Sequence, residues 1–183
     1  QYKDKFIKLI VEKKKDYFLF DKFLDSFYKV DINDIKEFKR RIPDDMNIEI
    51  NISCPNVEHK LVCDEIECFI NDKREYTIVK LSPVDTIKLV DRLYLKGFRQ
   101  FHFSNTLPTK NGGQSGTILK DYTLGLIELI RDEWKDEVEI IAGGGVREFK
   151  DVLDYLKMGA DHISIGSVCF NPLRLRKLLK SLT

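Results

Sequence analysis

From residue 31 onward the chain alternates short β-branched runs with amphipathic stretches, and this alternation constrains the fold more than any other feature. Runs at 47–53 (NIEINIS), 76–82 (YTIVKLS), 99–104 (RQFHFS), 138–143 (VEIIAG) and 162–166 (HISIG) read as strands. Segments 61–74, 84–97, 120–135, 147–158 and 172–182 carry helical spacing, and a further helix near 32–42 ends before Pro43. In 84–97, Val84, Ile87, Val90, Leu93 and Tyr94 recur at helical spacing and Gly97 sits at the stop. Strict alternation of this kind dictates parallel strands with helical crossovers, so the expected class is α/β with five βα units.

An open doubly wound sheet and a closed (β/α)8 TIM barrel both satisfy the alternation. No GxGxxG follows the first strand, which weakens the dinucleotide-binding version of the open sheet. Side-chain parity separates the two folds further. In 47–53, Ile48, Ile50 and Ile52 share one face, while Glu49, Asn51 and Ser53 share the other. In 76–82, Val79 and Leu81 oppose Ile78, Lys80 and Ser82. A strand sandwiched between two helical layers is apolar on both faces. One that lines a barrel turns its second face to the lumen, whose upper layer forms the site. The parity therefore favours a barrel. Glu49 and Lys80 share the lumen-facing parity on neighbouring strands, and a buried charge needs a partner, so an ion pair between them is expected. A full barrel takes about 250 residues, and this chain has 183, so the expectation is an incomplete one. Residues 1–30 stay outside the alternation; they fit one strand and one helix, or two helices, and 31–183 form the barrel part. Open edges would then be covered either by residues 1–30 or by another chain, in a homo-oligomer or with a partner.

Composition narrows the function. Hydrophobic residues are 43% and charged residues 33%, a soluble globular balance. Lys+Arg is 31 against Asp+Glu 30, so no bulk positive field exists to hold nucleic acid or an anionic membrane. The cysteines Cys54, Cys63, Cys68 and Cys169 lack CxxC spacing, so neither a zinc site nor a disulfide scaffold is expected, and a cytoplasmic setting fits.

Two segments carry chemistry. Ala142-Gly143-Gly144-Gly145 and Ile165-Gly166-Ser167 follow consecutive strands, and glycine lets backbone N–H groups approach an anion closely at a helix start. In a barrel these are phosphate-site positions. The hexapeptide 51–56 (NISCPN) places two amides and a thiol at a strand end. Carboxamides recognise planar rings that carry carbonyl and N–H groups. The spacing leaves Cys54 open as nucleophile, base or buried thiol.

These pieces, with VKLSP (79–83), SNT (104–106), GGQSG (112–116), IIAGGGV (140–146) and ISIGS (163–167), occur in order over 47–183 and resemble the dihydroorotate dehydrogenase family. The resemblance implies an FMN-binding TIM barrel that oxidises dihydroorotate to orotate in pyrimidine biosynthesis. It gives Cys54 the role of the base that removes the C5 proton while hydride leaves C6 for flavin N5, and cysteine at this position resembles the soluble branch. Asn51, Asn56, Asn105 and Thr106 match residues that hold the pyrimidine ring and its carboxylate, with Asn51 also touching flavin. Lys80 matches the lysine beside the flavin pyrimidine edge; Ser104, Gly116, Gly144, Gly145, Gly166 and Ser167 match flavin contacts, the last four around the phosphate. The chain departs from the family after Asn56, where Val57-Glu58-His59-Lys60 stands in place of a small residue and glycine, and in its early strands. Two other readings stand beside this one: a dihydropyrimidine dehydrogenase-like flavin domain, for which no cysteine array is present to ligate a cluster, and a non-catalytic barrel remnant that acts in assembly.

Overall fold

The computed structural model describes residues 39–52, 66–85, 87–104, 106–110 and 112–182. Its principal sheet contains β1 (Ile48–Asn51), β2 (Thr77–Leu81), β3 (Gln100–Phe103), β6 (Glu139–Gly143) and β7 (His162–Ser164), all parallel and paired in that order. Between β3 and β6 lies an antiparallel hairpin of β4 (Leu107–Thr109) and β5 (Gly112–Gln114), which pair with each other. The helices are α1 (Ile87–Leu95), α2 (Leu119–Trp134), α3 (Phe149–Met158) and α4 (Pro172–Leu182).

The strand order decides between the two folds. A doubly wound sheet reverses direction at a switch point; here each new parallel strand is added on the same side of the last. Right-handed crossovers then put every helix on one face, and each helix packs on the next, α1 on α2, α2 on α3 and α3 on α4. This is a run of consecutive units of a TIM barrel.

The two faces of the sheet have different jobs. Ile48, Ile50, Val79, Leu81, Phe101, Phe103, Ile140, Ala142 and Ile163 point outward and join one apolar core with Val90, Leu93, Ile127, Ile130, Val152 and Tyr155 of the helices. The Phe101 and Phe103 rings stack at 6.3 Å in this layer. Ile78 and Ile141 are as buried, yet they lie outside that core and on the opposite parity, which identifies the second face as a lumen.

A polar staple ties α2 to the sheet. Arg131 donates to Gly159 O at 2.8 Å, to Val138 O at 2.8 Å and to the Asp161 carboxylate at 2.6 Å, while Asp161 also accepts from Ile140 N at 2.8 Å. Gly159 ends α3 at φ 109°, and a Cβ there would sit 2.9 Å from Arg131 Cγ, so conformation and space both require glycine.

Two parts differ from the sequence reading. The helix expected over 61–74 is, in its described part, a 3-10 turn at Glu67–Phe69 followed by extended Ile70. The apolar spacing of Ile66, Phe69 and Ile70 continues into Asn71-Asp72-Lys73, where Asn71 Oδ1 accepts from Lys73 N at 3.0 Å and closes a turn instead. The β4–β5 hairpin was not expected. Its sequence signal is the turn-forming Asn-Gly dipeptide at 111–112, of which Gly112 is the first residue of β5. Residues 1–30 and the segment 53–65 lie outside the described residues.

Candidate active site

The site gathers where the strands end. Register pairs Asn51 with Lys80, Lys80 with His102, His102 with Ile141 and Ile141 with His162, so these five residues form one row across the lumen face. Asn51 and Lys80 are half-buried at the carboxyl ends of β1 and β2, the end of a barrel that carries chemistry.

Beneath them is a buried polar cluster. Glu49 Oε1 lies 3.8 Å from Lys80 Nζ, within ion-pair contact as the parity required. The other carboxylate oxygen is held more closely, 2.6 Å from His102 Nδ1. Glu49 is 8% exposed and His102 2%, so the pair is shielded from solvent. A carboxylate only accepts, so Nδ1 carries the proton of this bond, and His102 Nε2 is buried without a partner. A second acid–imidazole pair closes the lumen lower down. Gln100 donates to Glu139 at 2.9 Å, and Glu139 also contacts His162 Nε2. His102 is the residue that sequence reasoning missed, since its only signal was a polar side chain opposite in parity to Phe101 and Phe103.

The glycine turns flank this row. After β6, Gly144 and Gly145 have φ of 90° and 71°, values that favour glycine. Outside the turn, Thr123 Oγ1 donates to Gly143 O at 3.1 Å, and the Tyr155 hydroxyl donates to Gly143 O at 3.2 Å and to Gly144 O at 2.7 Å. A trans peptide is planar with C=O and N–H opposed. Turning the Gly144 carbonyl to Tyr155 therefore aims the Gly145 N–H the other way. Burial pushes the Tyr155 hydroxyl up to about 12, so it remains a donor across the physiological range.

Ser104, Gly143 and Ser164 meet above the lumen. A Cβ on Gly143 would lie 2.7 Å from Ser104 Cβ and 3.0 Å from Ser164 Cβ, so glycine is required by space. Gly116, at φ 107°, backs onto the turn, since a Cβ on Gly145 would be 3.0 Å from Gly116 O. Gly166 differs: its φ of −123° lies outside the left-handed region and a Cβ there would meet nothing within 4 Å. No packing among the described residues explains that missing side chain. Ser167 follows at the start of the 3-10 turn Ser167–Phe170. Beside these turns opens a cavity of about 470 Å³ lined by Ser115, Thr117, Arg147, Ser167 and Arg174 among others, with no carboxylate among its described lining residues.

The structure thus brings Gly116, Gly144 and Gly145 into one cluster, and Asn51 and Lys80 into another, with Ser104 against Gly143 and Gly166-Ser167 after the neighbouring strand. Thr106 lies between β3 and β4, half-buried. Cys54, Asn56 and Asn105 lie outside the described residues.

Parallel strands in sequence order, helices on one side and a polar mouth with glycine turns define a (β/α)-barrel protein with its site at the strands' carboxyl ends. The chain matches the sequence model of the family described as dihydroorotate dehydrogenase over residues 62–182, and it belongs to that family. It is 28% identical to the catalytic subunit of dihydroorotate dehydrogenase B (NAD(+)) of Listeria monocytogenes serotype 4b (strain CLIP80459), over 74% of this chain and 52% of that protein. It is 30% identical to the corresponding subunit of Oceanobacillus iheyensis, over 68% of this chain and 49% of that one. The solved structure of DHODH from Eimeria tenella in complex with ferulenol is similar with a TM-score of 0.68 at 19% identity, covering 84% of this chain and 54% of that chain, a likeness of fold. The chain spans about half the length of the curated relatives it matches. Among the described residues no helix is long and apolar enough to cross a membrane.

Proposed function

We propose that this chain carries the flavin and pyrimidine face of an FMN-dependent dihydroorotate dehydrogenase that oxidises dihydroorotate to orotate. The observation that carries the reading is the placing of Lys80 and Asn51 in one lumen row beside the Gly144-Gly145 turn, at the barrel end where such chemistry sits. Open space at Gly166 and the orientation of the Gly145 amide suit a phosphate, so the residues fit a phosphorylated flavin.

Gly144, Gly145, Gly166 and Ser167 would hold the phosphate, with Asn51, Ser104 and Gly116 along the rest of the cofactor. Asn51, Asn56, Asn105 and Thr106 would orient the pyrimidine ring and its carboxylate through paired donors and acceptors. Bound FMN supplies the hydride acceptor at its N5. Cys54, as thiolate, takes the C5 proton of dihydroorotate; hydride leaves C6, and the C5–C6 double bond of orotate forms. Lys80 presents a fixed positive charge where negative charge develops. In this reading residues 31–183 are the barrel part, and residues 1–30 or a further chain, identical or not, cover the open side of the sheet. The setting is cytoplasmic.

Anaerobic mixing of the FMN-loaded protein with dihydroorotate tests the activity. Bleaching of the flavin bands with stoichiometric orotate is expected; a loaded protein whose spectrum dihydroorotate leaves unchanged refutes it.

A further inference from the structure

We infer that His102 is a positioning residue for Lys80, acting through Glu49, and that it thereby sets how strongly the site favours reduced over oxidised flavin. The inference rests on the flavin reading above and adds to it a residue that the family resemblance does not assign.

Lys80 and His102 are register partners on adjacent strands, both facing the lumen, and Glu49 reaches them from β1. A lysine ammonium on a flexible four-carbon stem is located by what it meets. Here it meets a carboxylate oxygen at 3.8 Å, within ion-pair contact. The distance follows from how the carboxylate is turned, and that is fixed by the bond of 2.6 Å from His102 Nδ1 to its other oxygen. A charge-assisted bond of this length is the stronger of the two contacts.

The lumen shows what a mere filler looks like, since Ile78 and Ile141 are the apolar neighbours in the same face. At 102 the chain instead buries an imidazole whose Nε2 has no partner. Leaving a buried polar atom unsatisfied costs about 1–3 kcal/mol, so packing alone does not account for the choice. The bond to Glu49 does. Nδ1 engages one carboxylate oxygen and leaves the other turned to Lys80.

Without His102 the bond that turns Glu49 is lost, the carboxylate closes on Lys80, and less of the lysine's charge is left to stabilise an anionic flavin. Without the charge of Glu49 the opposite holds. The two removals therefore shift the same quantity in opposite directions, which general damage to the lumen does not do.

The experiment compares the parent with His102→Leu, His102→Gln and Glu49→Gln. The midpoint potential of bound FMN is measured first. His102→Leu is expected to lower the affinity ratio for reduced over oxidised flavin about tenfold, about 30 mV for a two-electron couple. Glu49→Gln is expected to raise it, and His102→Gln, which keeps a donor for Glu49, to stay near the parent. The second measurement needs no flavin: the rate at which Lys80 is reductively methylated, read by mass spectrometry. It is expected to fall several-fold in His102→Leu and to rise in Glu49→Gln. Shifts of the same sign in these two variants, or parent-like values in both measurements, overturn the inference. A parent that takes no FMN while Lys80 labelling follows the expected order overturns the flavin reading and leaves the positioning role standing.

Discussion

Tyr155→Phe removes one oxygen atom from the back of the glycine turn. The hydroxyl is fully buried and donates at 2.7 Å to Gly144 O and at 3.2 Å to Gly143 O. Gly143 O keeps the Thr123 donor at 3.1 Å, so the loss falls on Gly144. An orphaned carbonyl in that position costs about 1–3 kcal/mol. Taking about 2 kcal/mol and about 2–4 °C per kcal/mol for a domain of this size gives a fall in Tm of about 4–8 °C by calorimetry. The same oxygen holds the peptide plane that aims the Gly145 amide, so FMN binding is expected to weaken about tenfold, while riboflavin, which has no phosphate, binds as before. There is also an alkaline signature. Burial raises the folded-state value to about 12, above the unfolded value of about 10, so the stabilisation is fully present below about pH 10 and is lost as pH rises through about 12. The variant lacks that descent. Parent-like FMN affinity together with an unchanged Tm and alkaline limb would refute the reasoning.

Cys54→Ala is expected to leave FMN binding intact and to slow flavin reduction by dihydroorotate about 10²–10⁴-fold in stopped flow, and reduction by the parent is expected to rise with pH up to the thiol range near about 8.5. Reduction at the parent rate removes Cys54 from the mechanism. Gly145→Ala places a Cβ 3.0 Å from Gly116 O at φ 71°, and a loss of about 1–2 kcal/mol on denaturant titration is expected; an unchanged midpoint shows that the turn adapts. Hydrogen bonds from Lys120 and Lys150 hold the Asp154 carboxyl down at about 2, so its stabilisation is present above the unfolded carboxylate value of about 3.9 and is lost as pH falls toward 2. Asp154→Asn is expected to flatten the acid limb between about pH 4 and 2, and an acid curve superimposable on the parent's counts against this.

Strand positions were legible because burial on one face and a lumen on the other leave a period of two in the residues. Ile48 and Ile50 against Glu49 and Asn51 is such a pattern, and the observed core and cluster divide along it. Boundaries ran a residue or two long, as 47–53 against Ile48–Asn51, because hydrophobicity does not register where ladder bonds stop. The hairpin went unread because its strands of three residues each are too short for any periodicity, and only the Asn-Gly dipeptide at 111–112 marks it in the sequence. The Glu49–His102 contact spans 53 residues of sequence, and Tyr155 reads as one more core aromatic of α3 until its hydroxyl is seen against two carbonyls. Both are products of closure, which no local window contains.

The β4–β5 hairpin leaves the sheet after Phe103 and rejoins the helical layer at Leu119, and its strands bond to each other and to no strand of the five-stranded sheet. Register in the main sheet passes directly from β3 to β6. Exposed residues of the hairpin such as Thr109 and Lys110 are therefore exchangeable without slipping any ladder that holds Lys80 or the glycine turns in place, whereas Leu107 is buried. A lineage, or a library, would find tolerant positions at the exposed Thr109 and Lys110, where novelty carries little penalty in folding.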